Sequence, residues 1–370
     1  MLIVLAGLAY CVVAVFAILR FTNRRVVQST EPFAATVLKP VHGLEVELFE
    51  NLCSFCEQDA ASFQVIFGVG RPDDPAIDVI RRVIERYPQL DLTLVIDDRP
   101  VAGNPKVANL QNMIAGAKYE LLVIADADMR VDRSYLRALA AEFVDERVGA
   151  ATCLYAGMPR GGLASQLAAL QLNDQFAPSV LVATLSGDPR FCLGSTMAVR
   201  RGALEAIGGF AALSPHLADD YMLGSLLRAR GYRVVLSRYV VANIVAEPGI
   251  RALLQHELRW ARTIRSVQTL GYVCSFVTFP LPFALLWAVL FPTTIAAWVA
   301  VALTLAARFG MHAAMRRAFA LTQDAAPAWL LPLRDCLGLG VWVAGLFGST
   351  VRWKDQQLGV TDLLRNAGDL

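Results

Sequence analysis

The sequence lacks a long basic run, and its formal net charge is only +2. It therefore offers no electrostatic footprint for a nucleic-acid partner. It also lacks a second CxxC. Cys53 and Cys56 stand alone among seven scattered cysteines, which argues against zinc and for thiols in a reducing compartment. No basic residue precedes the first apolar run, Leu2–Leu19; Arg20, Arg24 and Arg25 follow it. A cleaved signal peptide has the opposite order and ends in a small-residue cleavage site. The run reads as an uncleaved anchor with the amino terminus outside and the arginines in the cytoplasm.

Charge is missing again from Tyr272 to Ala307. No soluble core helix needs such a length. Two close-packed spans or re-entrant helices, broken around Pro280, Pro282 and Pro292, fit better. A last apolar stretch, Leu337–Val351, is short for a crossing. Arg262 and Arg265, then Arg308, Arg316 and Arg317, sit beside these segments and mark the cytoplasmic side. Hydrophobic residues make up 56% of the chain, above the roughly 45–50% of an ordinary soluble domain. The excess lies at the two ends. The expected plan is an anchor at 1–20, a cytoplasmic domain at 28–246, an interface helix at 247–271, membrane segments at 272–351 and a tail at 352–370.

In the middle, strand-like runs alternate with helical spacing. Ala34–Pro40, Phe63–Gly70, Leu92–Ile96 and Glu120–Ala125 read as strands. Leu44–Gln58, Ala76–Tyr87, Pro105–Ala117 and Arg133–Val144 read as helices. This pattern predicts an α/β domain with a mostly parallel sheet. Ligands of such sheets bind at the carboxyl ends of the strands. The residues just past each strand are Lys39-Pro40-Val41-His42-Gly43, Arg71-Pro72-Asp73-Asp74-Pro75, Asp97-Asp98 with Asn104-Pro105-Lys106, and Asp126-Ala127-Asp128.

Asp126 and Asp128 form a DxD after a buried-looking strand. Alternate side chains of an extended segment share a side, and two carboxylates there can hold Mg²⁺ or Mn²⁺ with phosphate oxygens. The plainer reading is two solvated aspartates in a turn; the position beside other polar strand ends favours the metal. Asp219 and Asp220 precede a helical pattern, Met222–Arg230. One can cap it, leaving the other free to act as a general base. In His256-Glu257-Leu258-Arg259-Trp260, His256 shares a helix face with Arg259 and Trp260. Arg259 can pair with a diphosphate and Trp260 can stack on a sugar, or both can anchor an interfacial helix in head groups. Leu163–Leu185 is apolar apart from Asp174 and several amides; it reads either as an amphipathic helix on the bilayer or as a buried core helix.

Together these residues resemble the ceramide glucosyltransferase family, glycosyltransferase family 21, related to the inverting family 2. The resemblance is carried by Lys39-Pro40 with Gly43, Asp73-Asp74-Pro75-Ala76-Ile77-Asp78, and Asn104-Pro105-Lys106 with Asn109-Leu110. It continues through Asp126 with Arg130, Gly194-Ser195 with Met197 and Arg200, Asp220-Tyr221 and Arg259-Trp260. Val148-Gly149 leading to Thr152-Cys153-Leu154-Tyr155, His216 to Gly224, and His256 to Arg265 look most like the bacterial hopanoid-biosynthesis branch. That branch attaches N-acetylglucosamine from UDP-N-acetylglucosamine to bacteriohopanetetrol, before a deacetylase acts.

The resemblance implies a GT-A-type fold, a multi-pass protein of the bacterial inner membrane with its catalytic domain in the cytoplasm, and a divalent cation. It implies donor binding by Lys39, Pro40, Asp73, Asp74, Lys106, Asp126 and Arg259, a metal on Asp126 and Asp128, and Asp220 as base. Arg259 and Trp260 close on the donor, and Gly194, Ser195 and His256 are acceptor or loop candidates. One departure is His256, which stands where the family pattern has Gln or Arg. The rival readings are ceramide as acceptor with UDP-glucose, a processive polysaccharide synthase, and an inactive membrane scaffold.

Overall fold

The structure, a computed structural model, describes residues 1–24, 33–60, 62–99, 103–321, 325–348, 350–353 and 356–359. Arg25, Lys354 and residues 360–370 of the expected tail lie outside the described residues. In chain order the elements are α1 (Leu2–Asn23), β1 (Ala34–Val41), α2 (Leu48–Cys56), β2 (Ser62–Val69), α3 (Ala76–Arg86), β3 (Asp91–Ile96), α4 (Pro105–Met113), β4 (Leu121–Ala125), β5 (Met129–Arg130), α5 (Tyr135–Ala141) and β6 (Val148–Pro159). Then come α6 (Leu163–Gln171), α7 (Ala177–Ala183), β7 (Thr196–Arg200), α8 (Arg201–Ala206), α9 (Asp219–Ala229), β8 (Arg233–Val245) and α10 (Ile250–Val267). The chain continues with α11 (Thr269–Cys274), α12 (Pro280–Leu290), α13 (Ile295–Ala318) and α14 (Leu331–Gly345), and a hairpin of β9 (Thr350–Trp353) and β10 (Gln356–Gly359).

Two compact units form. One holds Arg25–Tyr155 and Gly187–Ile244; the other holds Met1–Arg24, Ala156–Ser186 and Val245–Leu370. The boundary read from sequence at 28–246 keeps residues 156–186 with the α/β domain. Their packing groups them with the terminal helices instead, because α6 and α7 lie against α1, α10 and α14.

In the first unit, β1, β2 and β4 carry the apolar runs Val37–Leu38, Val65–Phe67 and Leu122–Ala125, all buried, as expected of parallel strands covered on both faces. The strand order is β3-β2-β1-β4-β7-β6-β8-β5. Pairing is parallel from β3 to β4, but β7 runs antiparallel to both β4 and β6, and β5 antiparallel to β8. The sheet is thus mixed, with β1, β2, β3, β4 and β6 running one way and β7 against them, in keeping with the mostly parallel expectation. The βα crossovers that give parallel pairing end at β4. Because Ala125 pairs with Thr196, the carboxyl end of β4 lies beside the start of β7. That register brings Asp126 next to Gly194-Ser195.

In the second unit, α1 and α13 are long and apolar enough to cross a membrane. Residues 269–278 and α12 make a third candidate if that pair, bent by 58°, is one span. The breaks fall at Pro280, where α12 starts, and at 291–294, which contains Pro292, whereas Pro282 lies inside the first turn of α12. A Cβ on Gly7 would lie 2.6 Å from the Pro280 Cβ, so glycine permits this close approach of α1 to α12. Arg308 does not flank a span. It is buried within α13, where its guanidinium donates to both oxygens of Asp335 at 2.7 and 2.6 Å and to the Asp174 carbonyl at 3.1 Å. Asp174 also bonds His312 at 2.8 Å. It lies in a π-helical turn, Leu172–Phe176, and Asn173 and Asp174 are both buried. Leu163–Leu185 therefore matches the core-helix alternative.

A second buried pair ties α14 to α10: Arg334 donates to Glu257 at 2.5 and 2.8 Å, with both side chains almost fully covered. Removing one partner of such a pair strands the other charge. Glu257→Gln is expected to destabilise the detergent-solubilised protein by about 3–5 kcal/mol. The apolar double replacement Glu257→Leu with Arg334→Leu should recover most of that loss, and thermal unfolding of the three proteins measures both.

Candidate active site

The site begins where β4 ends. Asp126 and Asp128 are not alternate residues of a strand, as the sequence suggested. They occupy a turn, closed by the Met129 N–H donating to the Asp126 carbonyl at 3.3 Å. Asp128 is fixed from β8: the Asn243 amide donates to its Oδ2 at 2.8 Å, and the Ile244 N–H donates to its carbonyl at 2.9 Å. Asn243 was missed in the sequence. Its signal was a lone amide in the otherwise apolar run Val240–Val245.

Two lysines hold this turn. Lys39 is wholly buried; its Nζ donates to the Asp126 carbonyl at 2.5 Å and lies 3.7 Å from the centre of the Phe55 ring. The sequence placed Lys39 on the donor, whereas its ammonium points into the protein. Burial pulls its pKa down to about 7, against the pull of Asp126 and Asp128. Lys106 is the accessible partner. Its Nζ bonds Asp126 Oδ1 at 2.6 Å and the Gly194 carbonyl at 3.1 Å. Although burial opposes its charge, Asp126 and Asp219 outweigh it and raise the pKa.

Lys106 is aimed by the start of α4. Asn104 caps that helix, its Oδ1 accepting from the Lys106 and Val107 N–H groups. The Asn104 amide donates to Asp219 Oδ1 at 3.2 Å. Gly103, at φ +100°, lets the chain pass the Ser214 carbonyl, which a Cβ would meet at 2.1 Å. The capping question at Asp219-Asp220 thus has a structural answer: neither side chain is the N-cap of α9. Asp219 serves Asn104 through one oxygen, and its buried Oδ2 has no partner. Asp220 Oδ1 accepts from the Tyr221 N–H at 2.8 Å. A Cβ on Gly194 would come within 3.2 Å of Asp220 Oδ2, so the glycine makes room for this carboxylate. Burial, then Asp219, push the Asp220 pKa up to about 6. Ser195 sends its carbonyl to the Asp126 N–H at 3.3 Å, and its buried hydroxyl has no partner.

Asp73 and Asp74 have different roles. Asp73 is exposed and paired with Arg71 at 2.7 Å, which holds its carboxyl below the usual range. Asp74 is buried. It accepts from the Gly43 N–H at 3.0 Å and the Ala76 N–H at 2.9 Å, with His42 Nδ1 3.2 Å away. It therefore clamps the loop after β1 to the start of α3. Pro40 is half-buried in β1.

The structure brings Lys39, Lys106, Asp126, Asp128, Gly194, Ser195, Asp219 and Asp220 together in one unit. His256, Arg259 and Trp260 belong to the other. There, α10 stacks His256 edge-on against Trp260 at 4.4 Å. Among the described residues, no hydrogen bond or ion pair holds the Arg259 guanidinium, and burial lowers its pKa.

A divalent cation suits the donor set at the turn. Asp128 is pushed up to about 6, first by burial and then by the charges of Asp126 and Glu45; a cation would relieve that repulsion. Among the described residues no group of three or more His, Cys, Asp or Glu side chains could hold a metal. Mg²⁺ is commonly held by one or two carboxylates plus substrate phosphates, so two suffice here once a phosphate is present.

A mixed sheet with acidic and basic side chains at the carboxyl end of β4 defines a GT-A-type glycosyltransferase fold. A mannosyltransferase from Pyrobaculum calidifontis, solved with GDP-Man and Mn²⁺, shares it at a TM-score of 0.57 and 18% identity, over 93% of this chain and 97% of that one. Ceramide glucosyltransferase 1 of Caenorhabditis elegans is 25% identical over 229 residues, 61% of this chain and 49% of that protein. The Candida albicans ceramide glucosyltransferase is 31% identical over 114 residues, 28% of this chain and 21% of that protein. The chain spans about half the length or less of these relatives. Residues 1–363 match glycosyl transferase family 21, and the chain belongs to that family.

The raised carboxyl at Asp128 fixes the sign of a stability change. Its pKa is higher in the folded protein (about 6) than the ordinary aspartate value of 3.8, so the folded state binds more protons between those values and loses stability as pH rises through them. The cost is complete above about pH 6. Asp128→Asn keeps an acceptor for Asn243 and should raise the melting temperature by a few degrees at pH 7.5 in chelator, with a much smaller gain at pH 4.5. A lower melting temperature at pH 7.5 would contradict the charge-crowding account.

Proposed function

We propose that the chain transfers a sugar from a nucleotide-sugar donor to a hydroxyl of a membrane lipid, by one displacement that inverts the anomeric centre. One observation carries this reading: Lys106, Asp126, Asp128 and Asp220 gather beside the end of β4 and the start of β7, in a chain that also has two helices able to cross a membrane. The inactive-scaffold reading is disfavoured because buried carboxylates with raised pKa values are costly to keep without a task.

In this mechanism Asp126 and Asp128 face the donor diphosphate, and Lys106 supplies positive charge next to them. Lys39 acts from beneath, holding the turn through the Asp126 carbonyl. A bound divalent cation supplies charge neutralisation for the departing diphosphate. Asp220 Oδ2 takes the proton of the lipid hydroxyl as that oxygen attacks the anomeric carbon. Arg259, an unpaired guanidinium, has the chemistry to bind phosphate, and Trp260 offers an aromatic face for a sugar.

For the substrates, the sequence resemblance favours UDP-N-acetylglucosamine and bacteriohopanetetrol, and a deacetylase would then act on the product. The names of the curated relatives favour ceramide as acceptor and glucose as the sugar, and UDP-glucose is the donor that goes with that reading. Catalysis on the cytoplasmic face of a bacterial inner membrane goes with the first reading. Membranes carrying the protein, given labelled UDP-sugars with either lipid and followed by mass analysis of the glycolipid, distinguish the two.

General-base removal is typically worth 10²–10⁴-fold. Asp220→Asn should therefore bind UDP normally while its turnover drops by about that factor. Because a base must be ionised, wild-type kcat/KM should fall as pH drops below about 6, following the raised carboxyl of Asp220. Ordinary turnover by Asp220→Asn would remove Asp220 from the mechanism.

A further inference from the structure

β7 runs against both β4 and β6, so β4 and β6 point the same way and their carboxyl ends lie on one rim of the sheet. At that rim β6 stands between β7, whose start adjoins Gly194-Ser195, and β8, whose last turn of strand carries Asn243. Near the carboxyl end of β6 is Tyr155, a side chain that the mechanism above does not use. Alternate residues of a strand share a face, and Ala151, Cys153 and Tyr155 alternate. Ala151 and Cys153 are buried in one core with Val37, Ala125 and Met129. Tyr155 packs on that same core yet is only partly buried. Its ring is thus rooted in apolar packing at the level where the strand reaches the rim, an arrangement that suits an aromatic body with a polar tip.

The tip sits among the charges of the site. Burial raises the pKa of the phenol, and Asp220, then Asp126, then Asp128 add to that effect. A phenol so surrounded keeps its proton and presents an O–H donor. Asp220 acts on it before the two carboxylates of the turn do, which sets the hydroxyl on the side of the base.

We infer that Tyr155 is a substrate-contacting residue whose phenol donates a hydrogen bond to a hydroxyl oxygen of the donor's sugar. This inference rests on the transferase reading, because that reaction brings the anomeric carbon beside Asp220, and it deepens that reading by assigning a contact to the sugar itself. A neutral donor suits an uncharged sugar oxygen. The diphosphate, by contrast, falls next to Asp126, where Lys106 already supplies positive charge.

Phenylalanine removes the hydroxyl and keeps the ring in the core. Tyr155→Phe should fold with little change in melting temperature and bind UDP with unchanged affinity, because UDP lacks the transferred sugar. With the UDP-sugar that the wild type turns over, its kcat/KM should fall roughly three- to tenfold, the scale of one hydrogen bond. Deoxy analogues of that UDP-sugar identify the contacted oxygen. The analogue that lacks it should react equally well with wild type and Tyr155→Phe, while the other analogues keep the difference. Because each analogue is compared with the parent sugar within one protein, the pattern reads the contact even where the variant is less stable. Wild-type kinetics for Tyr155→Phe, weakened binding of UDP alone, or a loss of the same size with every deoxy analogue would each overturn the inference. Failure of the wild type to release UDP from any UDP-sugar in the presence of either lipid would instead overturn the transferase reading, and this inference with it.

Discussion

Crowded negative charge at the end of β4 is the constraint that organises the catalytic unit. Burial, and after it the like charges around them, push Asp128 and Asp220 each up to about 6. Left alone, like charges in a partly dry environment would spread the turn apart. Lys39 prevents this from below at the cost of burying an ammonium, and Lys106 does so from the side. The two lysines differ in kind. One gives its charge to the backbone of the turn and is closed to ligand. The other touches a carboxylate and a carbonyl that line the site. Such an arrangement is poised for a ligand that brings a cation, because binding removes the repulsion that the apo protein carries.

The membrane-helix unit solves the same problem with pairs. Arg308 meets Asp335, His312 meets Asp174 and Arg334 meets Glu257, all buried. A charge without a partner there would be far costlier than one at the rim of a sheet. Glu257 adjoins His256 on α10, so the bidentate clamp from α14 fixes the helix on which His256, Arg259 and Trp260 are mounted. The polar side chains of this unit thus position its functional candidates rather than flank its spans.

Much of the architecture was legible in advance. The strands at 34–40, 63–70, 92–96 and 120–125 follow from local apolar spacing and match the backbone to within a residue, while the helices between them are shorter than expected by up to four residues at an end. The proline breaks near 280 and 292 were equally plain, because proline removes a donor and a rotational freedom wherever it stands. Lys106 and Asp126 were recognisable as candidates because they lie in the polar stretches that follow strands, and Asp220 because it is the second of two aspartates at a helix start. Asn243 escaped notice because it acts through a partner far along the chain.

The sequence by itself determined the α/β alternation, the apolar ends, the candidate carboxylates and the family resemblance, since each is written in short-range spacing and residue type. Only the tertiary structure decided that β7 runs against both of its neighbours in the sheet and that a turn rather than a strand presents Asp126 and Asp128. It also decided that Lys39 faces inward, that Asp74 clamps backbone, and that Arg308 is a buried partner rather than a membrane flank. These outcomes depend on which residues meet across long stretches of chain. Burial and pairing, which set the charge and the orientation of every group at the site, exist only once that meeting has occurred.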